Sequence, residues 1–450
     1  MSTERNLEWL CHDLLNGVIS PDEIRERCLY SEETMNSLNC FIRESDAEKQ
    51  FGRANMERKG APLWAIPISF KDNICVRGLP VTAGTLGMRG CVASHDAFIV
   101  RKLKSLGAVV AGKNNMHELS FGITSVNTHW GTVGNPSAPG YCAGGSSGGC
   151  AAAVAAGIVP VAVGTDTGGS VRIPAAFCGI VGFRPTSGRW SSAGIIPVSH
   201  TKDSPGLFTR TAADALFLYD KLAGQIGPSL QPGGLSCRVG LPASLWAGLD
   251  KKVMRHCMAA IKRLTLAGFE CAEIDDTELM ALNKTITFTV PLYEFFTDFP
   301  RTLFSLGWGD MISSVLNQIG DVNVRNIIDE QLQGSLISPA EYASAIANIG
   351  RLRLKVEELF KRERIDLLAY PTVPCAPPPL YDAANPDLFS TVIRNTDISS
   401  NAALPSISLP VAAKGELPVG LNLDAPHGKD HLLLSFAALI EKTLRTQVLI

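Results

Sequence analysis

The chain has 450 residues, with 41 Lys and Arg against 43 Asp and Glu, which gives a formal net charge of −2. Hydrophobic residues make up 46% of the chain and charged residues 19%, a composition that excludes disorder, collagen and coiled coil. The near-zero charge also leaves no basic footprint for binding nucleic acid.

Several features of the sequence predict a cytoplasmic protein, and its first segment is expected to be helical. Residues 7–15 are apolar but carry Glu8, His12 and Asp13, so they do not form the core of a signal peptide. The run Ser20–Glu23 is a capping box with proline at the first helical position.

The longest apolar run, Cys150–Gly164, contains a proline and is shorter than the roughly 20 residues that cross a membrane. The twelve cysteines form no Cys-x-x-Cys pair, and we expect reduced thiols in a cytosolic core.

Strand and helix patterns alternate along the first half of the chain. The predicted elements are a strand at Ala65–Phe70, a helix at His95–Leu106, a strand at Ala108–Ala111, a helix at Cys150–Ala156 and a strand at Val159–Val163. This alternation predicts an α/β protein with a largely parallel sheet.

The segment Thr277–Pro339 differs because aromatic residues crowd its first half. They are Phe288, Tyr293, Phe295, Phe296, Phe299, Phe304 and Trp308. Their helical spacing fits a helical layer that packs on the sheet. They also fit an aromatic wall of a substrate pocket, and the two interpretations can hold for different faces of the same helices.

Three short patterns imitate known motifs. Gly107–Asn114 resembles a phosphate-binding loop, but Asn114 replaces the Ser or Thr that would hold magnesium. Ser199–Lys202 matches Ser-x-x-Lys, but no Lys-Thr-Gly follows it. Gly145–Gly149 fits the nucleophile elbow of a serine hydrolase with Ser147 at its centre, yet no strand precedes it. A Ser147–His mechanism therefore stays an alternative.

Two glycine- and serine-rich loops form the strongest signal in the sequence. The first is Ala143–Gly149, and the second begins at Gly164 and contains Thr-Gly-Gly-Ser170. Glycine has no Cβ, so backbone N–H groups can approach a reacting atom closely, as the stabilisation of an anion requires.

Residues 70–189 resemble the amidase signature family. The matching pieces are Phe70–Asn73, Ala83–Thr85, Asn115–Glu118, Gly134–Pro136, both loops, and later Pro371–Pro374 and Asn401–Pro410. The resemblance implies one large α/β domain over residues 1–450, with a mixed, mostly parallel sheet covered by helices. It places the signature core at about 65–220, a variable helical segment at about 277–340, and a C-terminal return to the core at about 365–450.

The resemblance also implies a catalytic triad. Carried over residue by residue, Lys71 is the general base, Ser146 the bridging serine on a cis Gly145–Ser146 peptide, and Ser170 the acyl-forming nucleophile. The loops contain no histidine, which independently favours a lysine base. That lysine must be neutral, and burial behind the strand would lower its pKa.

Other residues are expected to support these three. The resemblance assigns the oxyanion hole to backbone amides of Thr167, Gly168, Gly169 and the nucleophile, and places Ser120 in the acyl pocket. Asp166 and Arg172 bracket the nucleophile and are expected to pair and hold its loop.

The expected function is hydrolysis of a small, aryl-substituted primary carboxamide to a carboxylate and ammonia. Asn115–Thr124 and Ile393–Asp397 resemble the arylacetamide-hydrolysing members of the family. Two alternatives stay open: the glutamine-hydrolysing subunit of a tRNA-dependent amidotransferase, and an acyl transferase with an amine acceptor. We expect no cofactor. We also expect no metal ion, because the sequence contains no cluster of His, Asp and Glu at metal-ligand spacing. Beyond the small amide we expect neither nucleic acid nor membrane as a partner, although a homodimer is possible.

Overall fold

A ten-stranded sheet runs through the computed structural model, which describes residues 6–29, 37–42, 59–224, 237–334 and 337–446. Its strand order is β2-β1-β3-β5-β4-β9-β10-β8-β6-β7. The strands are β1 (Pro67–Lys71), β2 (Val109–Asn114), β3 (Val161–Asp166), β4 (Val181–Arg184), β5 (Ser204–Thr209), β6 (Arg238–Pro242), β7 (Glu270–Ile274), β8 (Leu367–Pro371), β9 (Ser406–Pro410) and β10 (Gly420–Asp424).

The sheet is mixed. The pairs β1–β2, β1–β3, β6–β7 and β6–β8 are parallel. The pairs β3–β5, β4–β5, β4–β9, β9–β10 and β8–β10 are antiparallel. Antiparallel pairs thus slightly outnumber the parallel pairs that the sequence predicts to predominate. Two of them, β4–β5 and β9–β10, join consecutive strands, which need no crossover helix when they run antiparallel. The α/β class and the mixed sheet are confirmed.

Helices cover the sheet. They are α1 (Leu7–Leu15), α2 (Pro21–Leu29), α3 (Phe98–Ser105), α4 (Gly148–Ala155), α5 (Arg172–Cys178), α6 (Ala212–Ala223), α7 (Ala243–Trp246), α8 (Lys251–Leu266), α9 (Thr277–Asn283), α10 (Thr289–Ser305), α11 (Ile312–Asn317), α12 (Val322–Leu332), α13 (Pro339–Glu363), α14 (Asp387–Ile393), α15 (Asp397–Asn401) and α16 (Asp430–Thr446). The capping box before α2 is confirmed, since the Glu23 carboxylate accepts a hydrogen bond from Ser20 N at 2.7 Å.

The aromatic segment forms helices, as its spacing predicts. Phe295 and Phe299 of α10 stack with ring centroids 4.9 Å apart, and both are buried in the main core. Phe304 is 69% exposed. Phe288, just before α10, is half-buried, and it therefore remains a candidate for a pocket wall.

The apparent phosphate-binding loop is part of the sheet. Residues 109–114 are β2, and Lys113 Nζ donates to Asp72 Oδ1 at 2.8 Å, with both side chains buried. The eleven cysteines whose side chains the structure describes are free thiols. Within the described ranges, no helix has the length and apolar character needed to cross a bilayer.

Candidate active site

Lys71 is the last residue of β1, the strand that lies between β2 and β3 in the sheet. Its side chain is completely buried. Its Nζ donates to Ser146 Oγ and to Thr165 Oγ1, both at 2.8 Å. Thr165 is a functional neighbour that the sequence reasoning missed. It lies in β3, at the start of the second glycine- and serine-rich segment of the sequence. A threonine in a strand carries no chemical signal of its own.

The surroundings of Lys71 favour the neutral amine. Burial lowers its pKa from 10.5 to about 7, against the opposing influence of Cys150, Asp203 and Asp166. An ammonium group without full ionic pairing is costly to bury. At neutral pH a large share of Lys71 is therefore unprotonated and able to accept a proton.

Ser146 follows a cis peptide bond to Gly145, as expected. A Cβ on Gly145 would lie 2.9 Å from backbone atoms of Ile123 and Thr124, so only glycine fits there. The carbonyl of Ser146 accepts a hydrogen bond from His117 N at 3.0 Å. Packing of the neighbouring loop thus fixes the hydroxyl against the lysine.

Ser170 lies in the loop between β3 and α5 and is half-buried, whereas Lys71 and Ser146 are buried. Its carbonyl accepts a hydrogen bond from Ser147 N at 3.2 Å, which joins the two loops. Among the described residues, no hydrogen bond links the Ser170 hydroxyl to Ser146. Ser170 is thus joined to the residue that follows Ser146, and it is the most accessible of the three expected triad residues.

The backbone amides of residues 168–170 belong to the predicted oxyanion hole. In the described part of the chain, the N–H groups of Gly168, Gly169 and Ser170 donate to no protein acceptor. Buried amides of this kind are rare in folded proteins. Gly169 has φ +140°, and a Cβ there would lie 2.2 Å from Thr396 Oγ1, so this position also requires glycine.

A buried ionic cluster holds residues 167–171, which carry the nucleophile candidate Ser170 and are called the nucleophile loop below. The expected pair of Asp166 and Arg172 is confirmed. Arg172 Nε and one terminal nitrogen donate to the two Asp166 oxygens at 3.0 Å each. Arg184 also binds Asp166, at 3.2 Å. Burial opposes ionisation, but the two guanidinium groups outweigh it and hold the pKa of Asp166 well below its usual range. Arg172 also donates to Ser399 and Ser400 from α15, at 2.5 and 2.7 Å.

Asp203 is a second residue that sequence reasoning missed. Its Oδ1 accepts from Thr167 Oγ1 at 2.6 Å, and its Oδ2 accepts from Val198 N at 2.8 Å and Ser199 N at 3.1 Å. The predicted oxyanion residue Thr167 is thereby tied to the following loop. An aspartate before a strand gives no sequence signal of such a role.

Two further serines have different surroundings. Ser147 is fully buried, and its hydroxyl donates to Thr165 O at 3.1 Å, an arrangement typical of a structural side chain. Ser120 ends the 3-10 helix Glu118–Ser120 with φ +63° and is half-buried. No hydrogen bond joins it to Lys71, Ser146 or Ser170 within the described residues, so its place in the acyl pocket stays a prediction.

Aromatic rings from three separate elements meet near this site. Phe288 packs edge-on against Phe121, with centroids 6.0 Å apart, and against Phe389 of α14 at 4.9 Å. Ile393, one turn after Phe389, approaches the nucleophile loop, since a Cβ on Gly168 would lie 2.7 Å from its Cδ1. These side chains form an apolar boundary beside the expected oxyanion hole.

A histidine–carboxylate cluster connects the loop before β5 with α10, and no spacing in the sequence predicted it. The ligand atoms of His200, Glu294 and Asp298 lie within 4.8 Å of one another. The sequence could not reveal it, because α10 is distant along the chain from His200. Protein donors already occupy these oxygens: Ser199 Oγ donates to Glu294 at 2.5 Å, and His200 N to Asp298 at 2.7 Å. The cluster accordingly joins α10 to the loop before β5.

Comparisons with known proteins find relatives that cover almost the whole chain. Residues 23–434 match the protein family Amidase. The chain is 62% identical to an indoleacetamide hydrolase of Pantoea agglomerans pv. gypsophilae over 453 residues, which covers 99% of this chain and 98% of that protein. It is 60% identical to an indoleacetamide hydrolase of Pseudomonas savastanoi, over 97% and 96% of the two chains. Among solved structures, a crystal structure of an amidase superposes with a TM-score of 0.83 at 29% identity, over 97% and 99% of the chains.

Proposed function

The chain belongs to the amidase family and is an amide-hydrolysing enzyme, and on that premise we propose that it cleaves a small arylacetamide to the carboxylate and ammonia. The reaction proceeds through an acyl-enzyme on Ser170, with Ser146 as proton relay and Lys71 as base. The observation that carries the proposal is the buried hydrogen bond of 2.8 Å between Lys71 Nζ and Ser146 Oγ. A serine hydroxyl becomes a useful nucleophile only when a base takes its proton.

In the first half of the reaction, Ser170 Oγ attacks the amide carbonyl carbon and its proton passes through Ser146 to neutral Lys71. The carbonyl oxygen becomes an anion, which the free amides of Gly168, Gly169 and Ser170 stabilise. One such donor contributes roughly 3–4 kcal/mol to transition-state stabilisation in comparable sites. The relay then returns the proton to the leaving nitrogen, the C–N bond breaks, and ammonia departs.

In the second half, water attacks the acyl-enzyme while the same relay takes a proton from it. The ester bond to Ser170 breaks, and its oxygen recovers a proton. The carboxylic acid product leaves and ionises. No step needs a metal or an organic cofactor, since each proton moves between groups of the chain, substrate and water.

The aryl preference is supported by the apolar boundary that contains Phe121, Phe288 and Phe389. Offset or edge-on contacts between a ligand ring and such side chains add about 0.5–1.5 kcal/mol beyond area burial. The curated relatives at 60–62% identity carry the name indoleacetamide hydrolase, and the indole ring is a flat aryl group of this kind.

The test is ammonia release by the purified protein alone. The substrates are indoleacetamide, phenylacetamide, mandelamide, propionamide and glutamine, and Ser170→Ala is the matched control. We expect release from the aryl amides, weaker release from propionamide, and none from the variant. Release from glutamine alone would favour the amidotransferase subunit. If no amide releases ammonia until an amine acceptor is added, the result would favour acyl transfer.

A further inference from the structure

Lys202 is a buried cation that the proposed mechanism does not use. It ends the Ser199–Lys202 pattern and is 1% exposed. Its Nζ donates to Asp397 Oδ1 at 2.8 Å and to the Thr287 carbonyl oxygen at 3.3 Å. Since a buried charge is tolerated only with partners in good geometry, the ammonium fixes the position of both partners.

The carboxylate partner lies beside the nucleophile loop. Asp397 begins α15, and a Cβ on Gly168 would lie 3.6 Å from its Oδ1. The preceding Thr396 donates its hydroxyl to Gly168 O at 2.6 Å. The second oxygen of Asp397 accepts from Asn401 Nδ2 at 2.8 Å. One end of the Lys202 ion pair is thus attached to the loop that supplies the oxyanion donors.

The carbonyl partner, Thr287, lies directly before a residue of the apolar boundary. Thr287 immediately precedes Phe288, and Phe288 packs against Phe389 on α14. Thr287 has φ +24°, an uncommon backbone angle for a β-branched residue. The hydrogen bond to Lys202 therefore holds the chain at the point where the ring of Phe288 is oriented.

We propose that Lys202 is a specificity-determining positioning residue, whose pairing with Asp397 fixes Phe288 relative to the oxyanion loop. The inference rests on the proposed function, because it concerns the fit of an aryl substrate. An aryl amide must place its ring against Phe288 while its carbonyl occupies the oxyanion site, so it needs both surfaces in register. A short aliphatic amide contacts only the loop. Misplacement by about 1 Å can cost two orders of magnitude in rate, and this cost falls on the aryl substrate.

The test compares kcat/KM for phenylacetamide and propionamide in Lys202→Met/Asp397→Asn. Both charges are removed together, so no buried charge is left unpaired. We expect the aryl-to-aliphatic ratio to fall at least about tenfold. The matched control is Lys104→Met/Asp96→Asn, which removes a partly exposed pair of 2.9 Å remote from these residues along the chain, and its ratio should stay at the wild-type value.

A double-mutant cycle separates positioning from general damage. In a Phe288→Leu background, the same double substitution should change the ratio less than about threefold, because the surface it positions is already gone. Equal losses for both substrates, or additive effects of the two changes, would overturn the proposal. If the double variant does not fold, Lys202→Arg, which keeps both charges but changes the geometry of the pair, should lower the ratio in the same direction, and an unchanged ratio in it would refute the role. A wild type without aryl preference would overturn the proposed function itself, whereas a wild-type preference that survives these substitutions overturns only this inference.

Discussion

Replacing Lys71 with methionine should abolish turnover and stabilise the protein at neutral pH. Lys71 is fully buried and its pKa is lowered from 10.5 to about 7. Between these two values the unfolded chain binds a proton that the native chain does not, so the lysine lowers the free energy of unfolding. This lowering of the free energy of unfolding is complete below about pH 7 and disappears above about pH 10.5. Linkage between folding and protonation gives a lowering of about 4 kcal/mol at pH 7 and about 2 kcal/mol at pH 9.

Methionine also removes two hydrogen bonds, to Ser146 and Thr165. Each contributes about 1 kcal/mol, and this loss varies little with pH. The expected net change is a gain of about 2 kcal/mol in the free energy of unfolding at pH 7 and about zero at pH 9. The pH dependence, rather than the sign at one pH, is the signature of the buried amine.

The measurement is urea unfolding of the wild type and Lys71→Met at both pH values. Lys251→Met is the control, because this lysine is exposed at the start of α8 and its removal relieves no buried charge. An equal change at pH 7 and pH 9, a larger loss at pH 7, or retained turnover would refute the reasoning.

Four further outcomes are expected. The value of kcat/KM should fall about tenfold per pH unit below about pH 7 and level off above it, because only neutral Lys71 accepts the proton; a flat profile from pH 5 to 8 contradicts this. Ser170→Ala should lose turnover with an unchanged circular dichroism spectrum, whereas Ser147→Ala should keep most of it; the reverse ranking would restore Ser147 as nucleophile. Asp166→Asn should lower the free energy of unfolding by about 3–5 kcal/mol, because two buried guanidinium groups lose their carboxylate; a change below about 1 kcal/mol in urea unfolding would show the cluster to be weak. EDTA should leave ammonia release unchanged, and a loss restored by a divalent cation would assign a metal to the histidine–carboxylate cluster.

The parts of the site that follow from local sequence were predictable. The two loops are recognisable in the sequence by their glycines. Close packing requires glycine at 145, and close packing together with positive φ requires it at 169. The Lys71 and Ser146 side chains lie in hydrogen-bond contact, as expected of a base and its relay. The assignment of Ser170 as nucleophile stays a prediction.

The rest depends on residues whose types carry no signal. Thr165 and Asp203 are ordinary residues until the fold brings them against Lys71 and Thr167. Lys202 belongs to a pattern that sequence alone interprets as chance, since its partner is almost two hundred residues away along the chain. The pairing of the central strands likewise depends on long-range contacts, which periodicity does not encode.

The position of β9 and β10 has a consequence for synthesis. Among the described residues these are the last two strands in chain order, yet they fill the middle of the sheet between β4 and β8. Before they are translated, β2-β1-β3-β5-β4 and β8-β6-β7 are two separate blocks, each with an open edge able to pair with other chains. The hydroxyl groups of Ser399 and Ser400 that bind Arg172 arrive just ahead of β9. A ribosome must therefore synthesise the chain through β10 before the two blocks can join, and chains that end before β9 should be substrates for chaperones and proteases rather than weakened enzymes.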